Sequence, residues 1–99
     1  MRKIAVLFGG KSAENEISVL TGVFVLNLID REKFQPLPVY LHTDGGMYTS
    51  SRMADLGLFR RGDFSSFKRV FFDGGSMYAF NPAKSKIKCL GKVDGALNC

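Results

Sequence analysis

With 99 residues, 45% of them hydrophobic and 23% charged, the chain has the composition of one ordinary globular domain, small for a complete enzyme with its own cofactor site. The net charge of +5 rests on cations scattered along the chain, Arg60, Arg61, Lys68, Arg69, Lys84, Lys86, Lys88 and Lys92 among them. With no basic stripe on one helix and no RNA-binding motif, it reads as a solvated basic face and excludes nucleic acid as the expected partner.

No apolar run approaches the roughly 18 residues of a membrane span. The run behind Met1-Arg2-Lys3 is too short for an export signal, so no membrane partner and a cytoplasmic location are expected. Cys89 and Cys99 form no CxxC pair and have no histidine beside them, which excludes the usual zinc and thioredoxin-type patterns. A disulfide is not expected in a reducing compartment.

Lys3 to Phe8 (KIAVLF) is almost continuously apolar and is closed by Gly9-Gly10, as for a strand buried on both faces of a helix-covered parallel sheet. Ser12 is a suitable N-cap, and Glu14 and Glu16 fall in the first turn of the helix that follows. Ile17, Leu20, Phe24 and Leu28 recur at helical spacing, with Val19, Val23 and Leu26 in a second row. That surface is wider than one sheet contact needs, which predicts a second buried face, either a homodimer contact or a contact with further domains. The helix should end near Ile29-Asp30.

Gln35 to His42 reads as the second strand of a βαβ unit, and Thr43 to Gly46 as a turn into a short strand, Met47 to Thr49. Ser51 to Phe67 is hard to read; the pattern predicts a short helix over Arg52 to Gly57 and a break at Gly62-Asp63. Val70 to Phe72 and Met77 to Phe80 flank a second Asp-Gly-Gly turn, read as the hairpin chemistry of the first used again. Asn81-Pro82 is a break and Ile87 to Leu90 a strand. Lys92 to Cys99 reads as a strand that has only begun, so a longer protein is expected. The fold class is therefore α/β, a parallel sheet with flanking helices plus an antiparallel hairpin region.

A strand, two glycines and a helix make the setting for phosphate binding. The dinucleotide fingerprint G-x-G-x-x-G fails at its second glycine. Gly10-Lys11-Ser12 ends like a P-loop, but the first glycine of that motif would fall at Ala5, inside the strand. Glu14 instead would stand at the carboxyl end of the first strand, where open α/β sheets bind ligands, and a carboxylate there suits an ammonium group. Ser18 lies one turn on, on the same side. On spacing alone the plainer account, acids that favour the helix dipole by about 0.3–1 kcal/mol each, stands ahead of this one. His42 reads as a surface or turn residue, Cys89 as a bystander thiol, and the phenylalanines between Phe59 and Phe80 as core or domain interface.

The string KIAVLFGGKSAENEISVLTG (Lys3 to Gly22), with Val25 to Asp30 behind it, resembles the N-terminal domain of D-alanine–D-alanine ligases, in which a strand ends in G-G-x-S-x-E-x-E-V-S. Gly9, Gly10, Ser12, Glu14, Glu16 and Ser18 stand in those places. YLHTDGGMY (Tyr40 to Tyr48) is similar to that family's second strand and turn, and VDGALNC to the strand before its His-Gly pair. The resemblance implies a Rossmann-like domain preceding ATP-grasp domains that these 99 residues do not contain. It implies an enzyme that uses ATP and magnesium to join two D-alanines in peptidoglycan synthesis, with this fragment inactive alone.

By motif position Glu14 is the candidate catalytic and substrate-binding residue, holding the first D-alanine's ammonium, with Ser18 as support. Gly9, Gly10 and Ser12 form the loop and helix N-terminus. No metal ligand is expected in this stretch. Asn15 stands where the family has His or Arg, which leaves open a related ligase for other small amino or hydroxy acids. A non-catalytic amino-acid-binding module is the rival from another class, and a Rossmann-type nucleotide binder a third reading.

Overall fold

The computed structural model describes residues 1–10 and 15–99. In chain order the elements are β1 (Arg2–Gly9), α1 (Asn15–Leu28), β2 (Phe34–Leu41), β3 (Met47–Thr49), α2 (Leu56–Arg61), β4 (Lys68–Asp73), β5 (Ser76–Asn81), β6 (Lys86–Lys92) and β7 (Gly95–Asn98). The strands form one sheet in the order β6-β5-β4-β3-β2-β1-β7. β7, β1 and β2 run parallel, and every pairing from β2 to β6 is antiparallel. The expected α/β class, a parallel part with an antiparallel hairpin region attached, is what forms.

α1 covers one face of the parallel strands. Val19, Val23 and Leu26 pack with Val6 and Phe8 of β1, Tyr40 of β2 and Met53. Gly22 also faces the sheet and is buried, and a Cβ there would overlap the Phe8 ring. The helix therefore approaches β1 more closely than any larger residue would allow.

The opposite face carries a second core of Leu37 and Val39 from β2 with Val70, Met77 and Ala79 from β4 and β5. Its cover is not the helix expected for a strand apolar on both sides. β6 and β7 are the two edges of the sheet, yet only Val93 and Asp94 separate them. Three Cα steps reach roughly 11 Å at most, whereas the edges of a flat seven-stranded sheet would lie roughly 29 Å apart. The sheet must curl, and the antiparallel half closes over the free face of β1 and β2. Lys3 records the closure: its Nζ donates to the Leu90 carbonyl at 3.0 Å, its N–H donates to the Asp94 carboxylate at 2.8 Å, and its carbonyl accepts from Asp94 N–H at 2.8 Å.

Two local expectations are corrected. The short helix lies over Leu56–Arg61, not Arg52–Gly57, because Asp55 supplies the N-cap, accepting from Gly57 N–H, and Gly62 supplies the left-handed C-cap at φ 65°. The two Asp-Gly-Gly turns also differ. Asp73 pairs directly with Ser76 around Gly74 and Gly75, both at positive φ, as a two-residue hairpin turn requires. The first turn is longer, with Leu41 pairing with Met47. There the Asp44 carboxylate accepts from Gly46 N–H at 2.6 Å and from the Tyr48 hydroxyl at 2.9 Å, and these two bonds hold its pKa below the usual 3.8.

Gly22→Ala should destabilise the protein by about 1–3 kcal/mol through overpacking against Phe8. Urea unfolding checks it; an unchanged midpoint would mean that α1 can lift from β1 at no cost.

Candidate functional site

The carboxyl ends of β1, β2 and β7 meet at one rim, and the residues there are held by a chain of short hydrogen bonds. Gly9 (φ 96°) lies so close to β2 that a Cβ would stand 2.6 Å from the Leu41 carbonyl. Gly10 (φ 114°) donates its N–H to that carbonyl at 2.7 Å. The Asn15 amide donates back to the Gly10 carbonyl at 2.6 Å, so the start of α1 is pinned to the glycine turn.

Ser18 closes the arrangement. Its hydroxyl accepts from Gly9 N–H at 2.8 Å and donates its one proton to the Cys99 carbonyl at 2.8 Å. Cys99 N–H in turn donates to Leu7 at 2.8 Å. One side chain on the first turns of α1 thus ties the end of β1 to the residue following β7.

Gly9, Gly10 and Ser18 are therefore brought together by the fold. Ser12 and Glu14 lie outside the described residues. Glu16 is exposed on α1. It borders a cavity of about 470 Å³ beside the rim, shared with Asn15, Arg60 and the rings of Tyr40, Phe59 and Phe64. Tyr40, 5% exposed, is the hub of the aromatic cluster, with ring centroids 5.1 Å from Phe59, 5.7 Å from Phe8 and 5.8 Å from Phe67.

The phenylalanines read as core or interface divide accordingly. Phe59 and Phe67 pack on the α1 core, whereas Phe71, Phe72 and Phe80 stay more than a third exposed. Asn15 as an anchor and Tyr40 as a hub were not singled out from sequence. A neighbouring glycine carbonyl gives no sequence signal for the first, and a tyrosine in an apolar strand reads as generic core. His42 sits at the turn after β2, its Nδ1 accepting from Asp44 N–H at 3.0 Å. Both cysteines are free, and burial pushes the Cys99 thiol up, away from thiolate chemistry. Among the described residues no group of three or more His, Cys, Asp or Glu could hold a metal ion.

Residues 3–86 match the family profile described as "D-ala D-ala ligase N-terminus". The chain belongs to this family. It is 38% identical over 69 residues to a D-alanine–D-alanine ligase of Thermosipho melanesiensis, covering 70% of this chain and 19% of that protein. It is 50% identical over 42 residues to one of Staphylococcus epidermidis, covering 42% and 12%. Among solved structures it is similar to the VanG D-Ala:D-Ser ligase from Enterococcus faecalis (TM-score 0.68, 24% identity, 98% of this chain and 28% of that one). It is also similar to the D-alanine–D-alanine ligase from Coxiella burnetii (TM-score 0.70, 18% identity, 97% and 28%). At such identities the structures speak for the fold, and the chain spans about a fifth or less of the length of these curated relatives.

Ser18→Ala should cost about 1–3 kcal/mol, because it strips a partner from both Gly9 N–H and the Cys99 carbonyl. Denaturant unfolding measures the loss, and faster hydrogen exchange at the Gly9 amide localises it; unchanged exchange there would deny Ser18 its bracing role.

Proposed function

We propose that residues 1–99 are the N-terminal, substrate-side domain of an ATP-dependent D-alanine–D-alanine ligase, acting in the cytoplasm in peptidoglycan precursor synthesis. The rim helps bind the first D-alanine. The observation that carries this reading is the family match over residues 3–86. The rim supports it physically, since ligands of open α/β sheets bind where the carboxyl ends of strands converge.

Glu14 directly precedes the anchored Asn15 in the chain, and its carboxylate is the group that attracts the amino acid's ammonium. Ser18 supports the site from behind, because its proton is already committed to the Cys99 carbonyl. ATP and magnesium are assigned to parts of the ligase beyond these residues. In sequence the glycine turn matches neither the dinucleotide fingerprint nor the full P-loop motif. Asn15, in a place where the family carries His or Arg, favours a second reading in which the second substrate is another small amino or hydroxy acid.

In the whole ligase, Glu14→Gln should raise the KM for the first D-alanine on the order of tenfold or more, the cost of weakening one charge-assisted contact, with the KM for ATP little changed. Equal rises in both, or none, reject the assignment, and an acceptor panel in the same assay separates D-alanine from other second substrates. The isolated chain should release no phosphate from ATP in the presence of D-alanine; D-alanine-dependent release would overturn its standing as a partial enzyme.

A homodimer through α1 belongs to the same reading. Ile17, Leu20, Phe24 and Leu28 are 67%, 48%, 63% and 66% exposed along one side of the helix. That stripe is roughly 16 Å long and carries no charge, which favours a second copy of itself packed across a two-fold axis. Phe24→Glu should convert a dimer to a monomer in sedimentation equilibrium. A dimer that survives the substitution moves the contact elsewhere, and a monomeric parent ends the idea.

A further inference from the structure

At the pole of the curled sheet opposite the rim, an open cavity of about 720 Å³ lies where the short β3 ends and the chain leaves the sheet through Ser50 and Ser51. Arg31, Lys68, Lys84, Lys86 and Lys88 line it, and no described carboxylate does. These cations lie far apart in sequence, and the topology gathers them.

Ala79 pairs with Lys88 and Asn81 with Lys86, so Lys86 and Lys88, alternating along β6, project to the face that carries Ala79. Lys68 enters through its pairing with Thr49. Arg31 arrives from the end of α1, where one of its five N–H donors is bonded to the Leu26 carbonyl at 2.7 Å.

Hydroxyls complete the wall. Ser50 and Ser66 lie 2.7 Å apart, and Ser50 Oγ also accepts from Arg52 N–H at 3.1 Å. Ser50, 6% exposed, is the one polar side chain buried among the described residues, so this wall is a fixed part of the fold. Five cations lining one concavity with no described carboxylate among them make it locally positive, and Lys, Arg and Ser donors all suit phosphate oxygens.

The lining contains no aromatic ring and so offers no aromatic platform for a nucleobase. The cations converge on a cavity of ligand size instead of following a strip, which disfavours a nucleic-acid strand. We infer that this cavity binds a small, multiply charged phosphorylated anion without an aromatic base, either a sugar bisphosphate or a condensed inorganic phosphate. The site is remote from the rim and independent of the ligase reading.

Titration calorimetry of the chain with sodium pyrophosphate and with fructose bisphosphate tests the assignment. One-to-one binding that weakens as salt rises is expected, and the tighter of the two probes identifies the source of the phosphate. Lys86→Gln combined with Lys88→Gln, both on an exposed strand, should weaken binding at least about tenfold without moving the melting temperature. Lys86→Arg with Lys88→Arg should keep it. No heat with either probe, or equal affinity in the glutamine variant, overturns the proposal. Tighter binding of a single-stranded oligonucleotide than of both probes overturns it in favour of a nucleic-acid surface.

Discussion

Two residues, Val93 and Asp94, join the opposite edges of a seven-stranded sheet, and most of the architecture follows from that short connection. The span they can cover is far less than the width of a flat sheet. The antiparallel half therefore folds over the free face of β1 and β2 and buries Leu37, Val39, Val70, Met77 and Ala79 where a second helix layer would otherwise be needed. A chain of 99 residues thereby obtains two cores from one sheet. Lys3 and Asp94 hold the closure with a reciprocal set of backbone and side-chain bonds.

The same connection sets both poles. At one, it delivers β7 alongside β1, so that Cys99 comes within reach of Ser18 and the ends of three parallel strands form a single rim. The rim is braced, because Gly9 lies hard against β2 and Gly10, Asn15, Ser18 and Cys99 are hydrogen-bonded around it. The amino-acid binding proposed for this rim would gain from such a frame, since a few tenths of an ångström separate a useful contact from a weak one. At the other pole the curl brings β6 over the gap left by the short β3 and concentrates positive charge that the linear chain spreads thinly.

Electrostatics divides the molecule accordingly. Cations dominate the second pole, while the rim and its neighbouring cavity mix a carboxylate, a guanidinium and amide groups over aromatic rings. The exposed stripe on α1 is a third kind of surface, apolar and uncharged, on the side of the helix away from the sheet. One small domain thus separates three kinds of chemistry by direction, and the parallel strands are the common support.

Much of this was legible in the chain itself. The apolar run from Lys3 to Phe8, the glycine pair and the helical spacing of two apolar rows determine β1, the turn and α1, because strand and helix periodicity are local properties. The hairpin strands around Gly74-Gly75 were legible for the same reason. α2 was displaced by a few residues because its caps, Asp55 and Gly62, carry the decisive information, and apolar spacing does not record it.

What only the tertiary structure decided are the relations between distant segments. Ser18 belongs to Cys99 and Gly9, Asn15 to Gly10, and Arg31 shares a cavity with Lys86. No sequence spacing encodes such pairings. They depend on how far the sheet curls, and the curl is the combined result of strand twist, a short third strand and a two-residue link.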